Sequence, residues 1–223
     1  MSLVDRLSRN LSMSLDLARN GEGKEVVSMV RTKFWGAQIA SGLARDMTVP
    51  FPAPEAKIPI SLRLIRPDDV PKVLNMEEPG ISPMERNHIA SRLDMLEAGF
   101  ATCFVAVTLD DEPCYIQWLI TPEENDLLHR EFDNQFPQLA EGEILLEGAF
   151  TPVAFRGQRI MPAAMAQLAE KAGQLGATRV LTFVGLPNIP SIKGCERAGF
   201  VPYTNREIVY RLGSRRTHFI PLS

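Results

Sequence analysis

At 223 residues, with 45% hydrophobic and 23% charged residues, the chain suits one large globular domain, or one domain with an appendage, and can bury a core. Its formal net charge of −3 argues against a general nucleic-acid binder, which needs clustered lysine and arginine to meet phosphates. Cys103, Cys114 and Cys195 make neither a disulfide framework nor a metal-ligand spacing, and no secretory or membrane-spanning apolar run is present. The expectation is therefore a cytoplasmic protein without a metal.

Apolar residues recur at helical spacing over residues 1–46, at Leu3, Leu7, Leu11 and Leu15 and again at Val27, Val30 and Phe34. The Gly21-Glu22-Gly23 break predicts two helices joined by a turn. Val49-Pro50-Phe51-Pro52-Ala53-Pro54 cannot be helical and reads as an extended connector. The boundary falls near residue 58, separating a helical extension with its connector (1–58) from a main domain (59–223).

In that domain Ile60–Arg66 reads as a strand, and Pro67-Asp68-Asp69 opens a helix to about Glu77, with aspartates in its favourable first turn. Ser82-Pro83 opens a second helix to about Ala98. Residues 101–109 and 114–120 form a hairpin around Asp110-Asp111-Glu112-Pro113. A short helix is expected at 123–132, a strand at 143–150, a helix at 160–175 stopped by Gly176, and a strand at 179–184. A short helix at 190–198 and two strands within 201–212 complete the order. Together these predict an α/β fold with a mixed, twisted sheet and helices on both faces.

The stretch from Glu143 to Phe200 carries the chemistry. Between its first strand and its helix lies Arg156-Gly157-Gln158-Arg159-Ile160-Met161. A strand-to-helix turn offers backbone N–H groups and a positive dipole end to an anion, and an arginine adds a fork suited to phosphate. This segment resembles the GNAT superfamily of acyl-CoA-dependent N-acyltransferases, in which the turn Q/R-x-x-G-x-G/A receives the pyrophosphate of coenzyme A. Arg156 matches the leading position, whereas Arg159 and Met161 stand where the family pattern has glycines. Asn188, Ser191, Gly199 and Phe200 match the spacing of the next family segment. The resemblance spans roughly residues 60–212.

The resemblance implies a GNAT-like fold and acetyl-CoA as co-substrate. It also implies pseudo-sheet hydrogen bonds from the backbone of Ala149, Phe150 and Thr151 to the pantetheine arm, a contact from Asn188 to the same arm, and a glutamate early in the 143–150 strand as base. Glu143 holds that place. Glu147 is the other candidate: it shares a strand face with Glu143, about 13 Å away at roughly 3.3 Å per residue, and its apolar neighbours predict a raised pKa. Cys195 stands where the family often has a general-acid tyrosine; the alternatives are a buried structural thiol, or Tyr203 or Tyr210 as the acid. His88, His129 and His218 read as surface groups. The expected activity is acetyl transfer to a small-molecule or peptide amine by direct attack in a ternary complex. Alternatives are a long-chain acyl-CoA or acyl-carrier-protein donor, and a non-catalytic GNAT-fold binding or regulatory module. The amino-terminal helices are expected to pack on the main domain or to form a homodimer.

Overall fold

A computed structural model describes residues 35–78, 81–212 and 214–222. The helices expected before residue 34, and the homodimer assigned to them, lie outside the described residues. Residues 35–46, also expected to be helical, instead form strand β1 (Trp35–Asp46). The physical reason is burial on both faces: Ala40 to Arg45 are all buried, so no in–out alternation marks the strand.

The other strands are β2 (Ser61–Leu64), β3 (Cys103–Val107), β4 (Pro113–Ile120), β5 (Glu143–Phe150), β6 (Arg179–Gly185), β7 (Val201–Arg211) and β8 (Ser214–Pro221). The helices are α1 (Val70–Val73), α2 (Pro83–Ala98), α3 (Asn125–Phe132), α4 (Ile160–Gln174) and α5 (Ile189–Arg197). One sheet holds the eight strands in the order β2-β3-β4-β5-β6-β1-β7-β8. Strand β5 pairs with β6 in parallel, whereas β2–β3, β3–β4, β4–β5 and β1–β6 are antiparallel, so the sheet is mixed. The two terminal strands extend past the expected 201–212. Strand β8 is largely exposed and polar, which left it without a hydrophobic signature.

The chain divides into two compact units. The smaller, among the described residues, comprises 35–39, 207–212 and 214–218; within it the Tyr210 hydroxyl lies 3.4 Å from Gln38 Oε1 and the Arg211 guanidinium 4.6 Å from the Trp35 ring centre. The larger, among the described residues 40–78, 81–206 and 219–222, has an apolar layer on each side of its sheet. Ile116, Trp118 and Leu145 pack with Ile89 and Met95 of α2 and Leu128 of α3. On the other side Tyr115, Leu119, Ile144 and Leu146 pack with Ala164, Leu168 and Ala169 of α4 and Cys195 of α5. Alternation along β4 and β5 produces this division.

Helix α2 starts at Ser82, whose hydroxyl accepts the Glu85 N–H while the Glu85 carboxylate accepts the Ser82 N–H, and it ends at left-handed Gly99. Arg45, almost wholly buried, ties the carboxyl end of α5 to α4. Its guanidinium donates to the Ala198 carbonyl at 3.3 Å and pairs with Glu170, and it lies 5.3 Å from the Phe51 ring centre of the proline-rich connector.

Candidate active site

Strands β5 and β6 pair at Glu143↔Arg179, Ile144↔Val180 and Leu145↔Leu181, and beyond these they part. An inner cavity of about 180 Å³ lies between them, walled by Glu147 and Gly148 of β5 and Thr182 and Phe183 of β6. On its other edge β5 bulges. Ile116 faces Phe150 and Trp118 faces Glu147, so Gly148 and Ala149 together stand opposite Gln117 alone. Gly148 has φ of 72°, and a Cβ there would lie 2.7 Å from Trp118 Cε3 and 3.0 Å from Met95 Sδ. Both conformation and space therefore require glycine.

Arg92 of α2 holds the bulge. Its Nε donates to the Gly148 carbonyl at 3.2 Å, Nη2 to the Ala149 carbonyl at 3.0 Å, and Nη1 to the His88 carbonyl at 2.8 Å. In a trans peptide the N–H points opposite to the C=O of the same unit. One guanidinium thus turns the N–H groups of Ala149 and Phe150 away from α2.

An outer cavity of about 710 Å³ adjoins the inner one, and His88, Ala149, Met161 and Asn188 border both. Of the residues expected to bind coenzyme A, Ala149, Phe150, Thr151, Arg156, Gly157, Arg159, Ile160, Met161 and Asn188 line the outer cavity. Gln158 does not, and its carbonyl accepts the Lys57 N–H at 2.8 Å. Arg159, the N-cap of α4, takes the left-handed conformation at φ 57° that glycine would adopt in the family pattern, so the turn keeps its path with a side chain present. Arg159→Gly is expected to stabilise the protein by about 1 kcal/mol, read from its urea midpoint, while removing one cation from the cavity. The Met161 side chain lies against Gly194 of α5, where a Cβ would come within 2.5 Å of its sulfur.

Arg156 donates from Nε to the Thr151 carbonyl at 3.1 Å and pairs through Nη1 with Glu85. The Ser82 backbone N–H and Arg156 together hold the Glu85 carboxyl down to about 2. Asn188 is the N-cap of α5, its side chain accepting the Ser191 N–H at 3.3 Å.

The two candidate glutamates are separated by the splay. Glu143 lies at the paired end, bound to Arg179 at 2.8 Å and accepting the Ala140 N–H at 3.1 Å, and lines neither cavity. Glu147 lines the inner cavity, and burial pushes its carboxyl up against the pull of the Gly148 backbone and the charges of Arg206 and Arg92. Cys195 lines the same cavity, its thiol pushed up to about 12 by burial. Tyr203 lines neither cavity and stacks beneath the Arg179 guanidinium at 4.3 Å.

Sequence reasoning missed four residues here. Tyr115 is fully buried, borders the outer cavity and donates from its hydroxyl to Gln117 Oε1 at 2.7 Å. Its signal was the polar pair Tyr115 and Gln117, two apart on one face of a strand buried throughout. Arg92 and Gln117 wall the inner cavity. His88, expected at the surface, is exposed and also borders both cavities. Partial desolvation and then the nearby Arg92 lower its pKa. Among the described residues no group of three or more His, Cys, Asp or Glu could hold a metal ion, and no helix is long and apolar enough to cross a membrane.

No family model matches the chain, and no curated protein does. Among solved structures it is similar to a GCN5-related glucosamine N-acetyltransferase region of a fungal multi-domain GH3 β-N-acetylglucosaminidase, with TM-score 0.55, 15% identity and coverage of 88% of this chain and 23% of that one. A functionally unknown conserved protein from Staphylococcus epidermidis gives TM-score 0.50 and 9% identity over 82% of this chain and 64% of that one. A GCN5-related N-acetyltransferase from Sphaerobacter thermophilus gives 0.49 and 14% over 90% and 57%. The chain spans less than two thirds of each of these proteins. The likeness is one of fold: the chain has the mixed α/β fold of the GNAT N-acyltransferases.

Proposed function

We propose that the protein is an N-acyltransferase that moves an acetyl group from acetyl-CoA to an amine by direct attack in a ternary complex. The observation that carries this reading is the parting of β5 from β6 after Leu145, with a bulge on the β4 edge of β5, beside a cavity that the Arg156–Met161 turn lines. The residues present suit the co-substrate. Arg156, Arg159 and the backbone amides leading into α4 suit a pyrophosphate, and the Ala149–Thr151 edge suits an amide-bearing arm.

Glu147 is the base, taking a proton from the bound ammonium directly or through one water. The N–H groups of Ala149 and Phe150, fixed by Arg92, are the donors available to the oxyanion. As the N–C bond forms and the C–S bond breaks, the leaving thiolate takes a proton. Cys195 on the inner cavity and Tyr115 on the outer one, both kept protonated by burial, are the candidate acids. Titration with acetyl-CoA by calorimetry tests the reading, with Arg156→Glu as the control. Micromolar binding in the wild type and none in the variant is the expected result. Absence of binding to the wild type would overturn acetyl-CoA as the donor.

A further inference from the structure

The inner cavity carries two groups of opposite charge, Arg92 and Glu147, that feel each other without direct contact. Arg92 and Glu147 both line it, and among the described residues no hydrogen bond or ion pair joins them. Three of the five N–H donors of Arg92 go to the carbonyls of Gly148, His88 and Ala149. Two remain, one on each terminal nitrogen, and that pair matches the two oxygens of a carboxylate. Gln117 and Thr182 add polar side chains to the same wall.

A cation alone in such a cavity would satisfy Glu147 and leave Arg92 facing a like charge. An anion alone would do the reverse. A ligand with an ammonium and a carboxylate meets both, and the space of about 180 Å³ limits it to a small one. We infer that the acceptor is a small amino acid, its carboxylate taken by Arg92 and its ammonium placed at Glu147. The fate of the amine rests on the acyl-transfer reading above, whereas the binding of the zwitterion does not.

The test compares ligands on the wild-type protein, which avoids reliance on a variant that fails to fold. Binding of alanine, β-alanine, γ-aminobutyrate, ethylamine and propionate would be measured by calorimetry, with and without coenzyme A. At least one amino acid should bind about tenfold or more tighter than both ethylamine and propionate. Arg92→Lys, which keeps the charge and loses the fork, should reduce that preference. Equal binding of ethylamine, or no amino acid bound in either condition, would overturn the assignment. Turnover separates the two readings. Amino-acid binding without acetyl-CoA binding would sustain the cavity assignment and remove the transferase. Acetyl-CoA binding with turnover of ethylamine equal to that of the amino acids would remove the assignment and leave the transferase.

Discussion

Glu147→Gln is expected to lower kcat/KM by about 10²–10⁴-fold and at the same time to make the protein more stable at pH 8. Both effects come from one carboxyl whose pKa burial raises. For activity, the base works when ionised, so the acid limb of the wild-type kcat/KM profile should lie above the ordinary carboxylate range of about 4.3, and the variant should lack that limb. For stability, a carboxyl with a raised folded pKa contributes its full stabilisation below the unfolded pKa and loses it as pH rises through the folded value. At pH 8 the wild type therefore carries an ionised, poorly solvated group that glutamine replaces with a neutral one. Melting temperatures taken from pH 4 to pH 8 should show the variant ahead at pH 8 and the gap closing toward pH 4. A wild type more stable than the variant at pH 8 would mean that the ionised carboxylate has a partner strong enough to outweigh its burial.

Gly148→Ala should be among the most damaging single substitutions in the larger unit. Holding a side chain at φ 72° costs about 1–3 kcal/mol. The added methyl meets Trp118 and Met95, and overpacking a filled core costs about 1–3 kcal/mol more. Urea unfolding should report a loss of about 2–5 kcal/mol. Activity should fall further than stability, because relief of either clash moves the carbonyls that Arg92 grips and with them the Ala149 and Phe150 N–H groups. Loss of a single oxyanion donor typically costs about 10²–10³ in kcat. An alanine variant with wild-type unfolding would show that the bulge reforms elsewhere, and the donors would then have to be reassigned.

The parts of the molecule written locally were readable in the chain. Strand β5 and the start of α4 fall at 143–150 and 160, where the chain places them on either side of the arginine turn. Strand β1 was misread because small and apolar residues buried on both faces carry neither period, and its partner β6 lies more than a hundred residues away. The site divides in the same way. The residues of the Arg156–Met161 turn are contiguous and announce themselves, whereas Arg92 reaches Gly148 across 56 positions and His88 comes with it on α2. Between Glu143 and Glu147 the sequence could not choose, since both occupy one face of one strand. The choice depends on where β5 leaves β6, and that is set by the pairing of two strands and by an ion pair at Arg179.

Glu85 answers to two masters. One of its oxygens closes the first turn of α2 at Ser82, and the other holds Arg156. An anion that draws Arg156 toward itself leaves that second oxygen without its cation, at the head of the helix that also bears His88 and Arg92. A shift of that helix on occupancy of the outer cavity would reach the inner one, which His88 and Arg92 line. Linkage makes such coupling mutual: whatever the first ligand does to affinity for the second, the second does to the first. A single carboxylate thus gives the two cavities a shared element, Glu85, at the head of one helix.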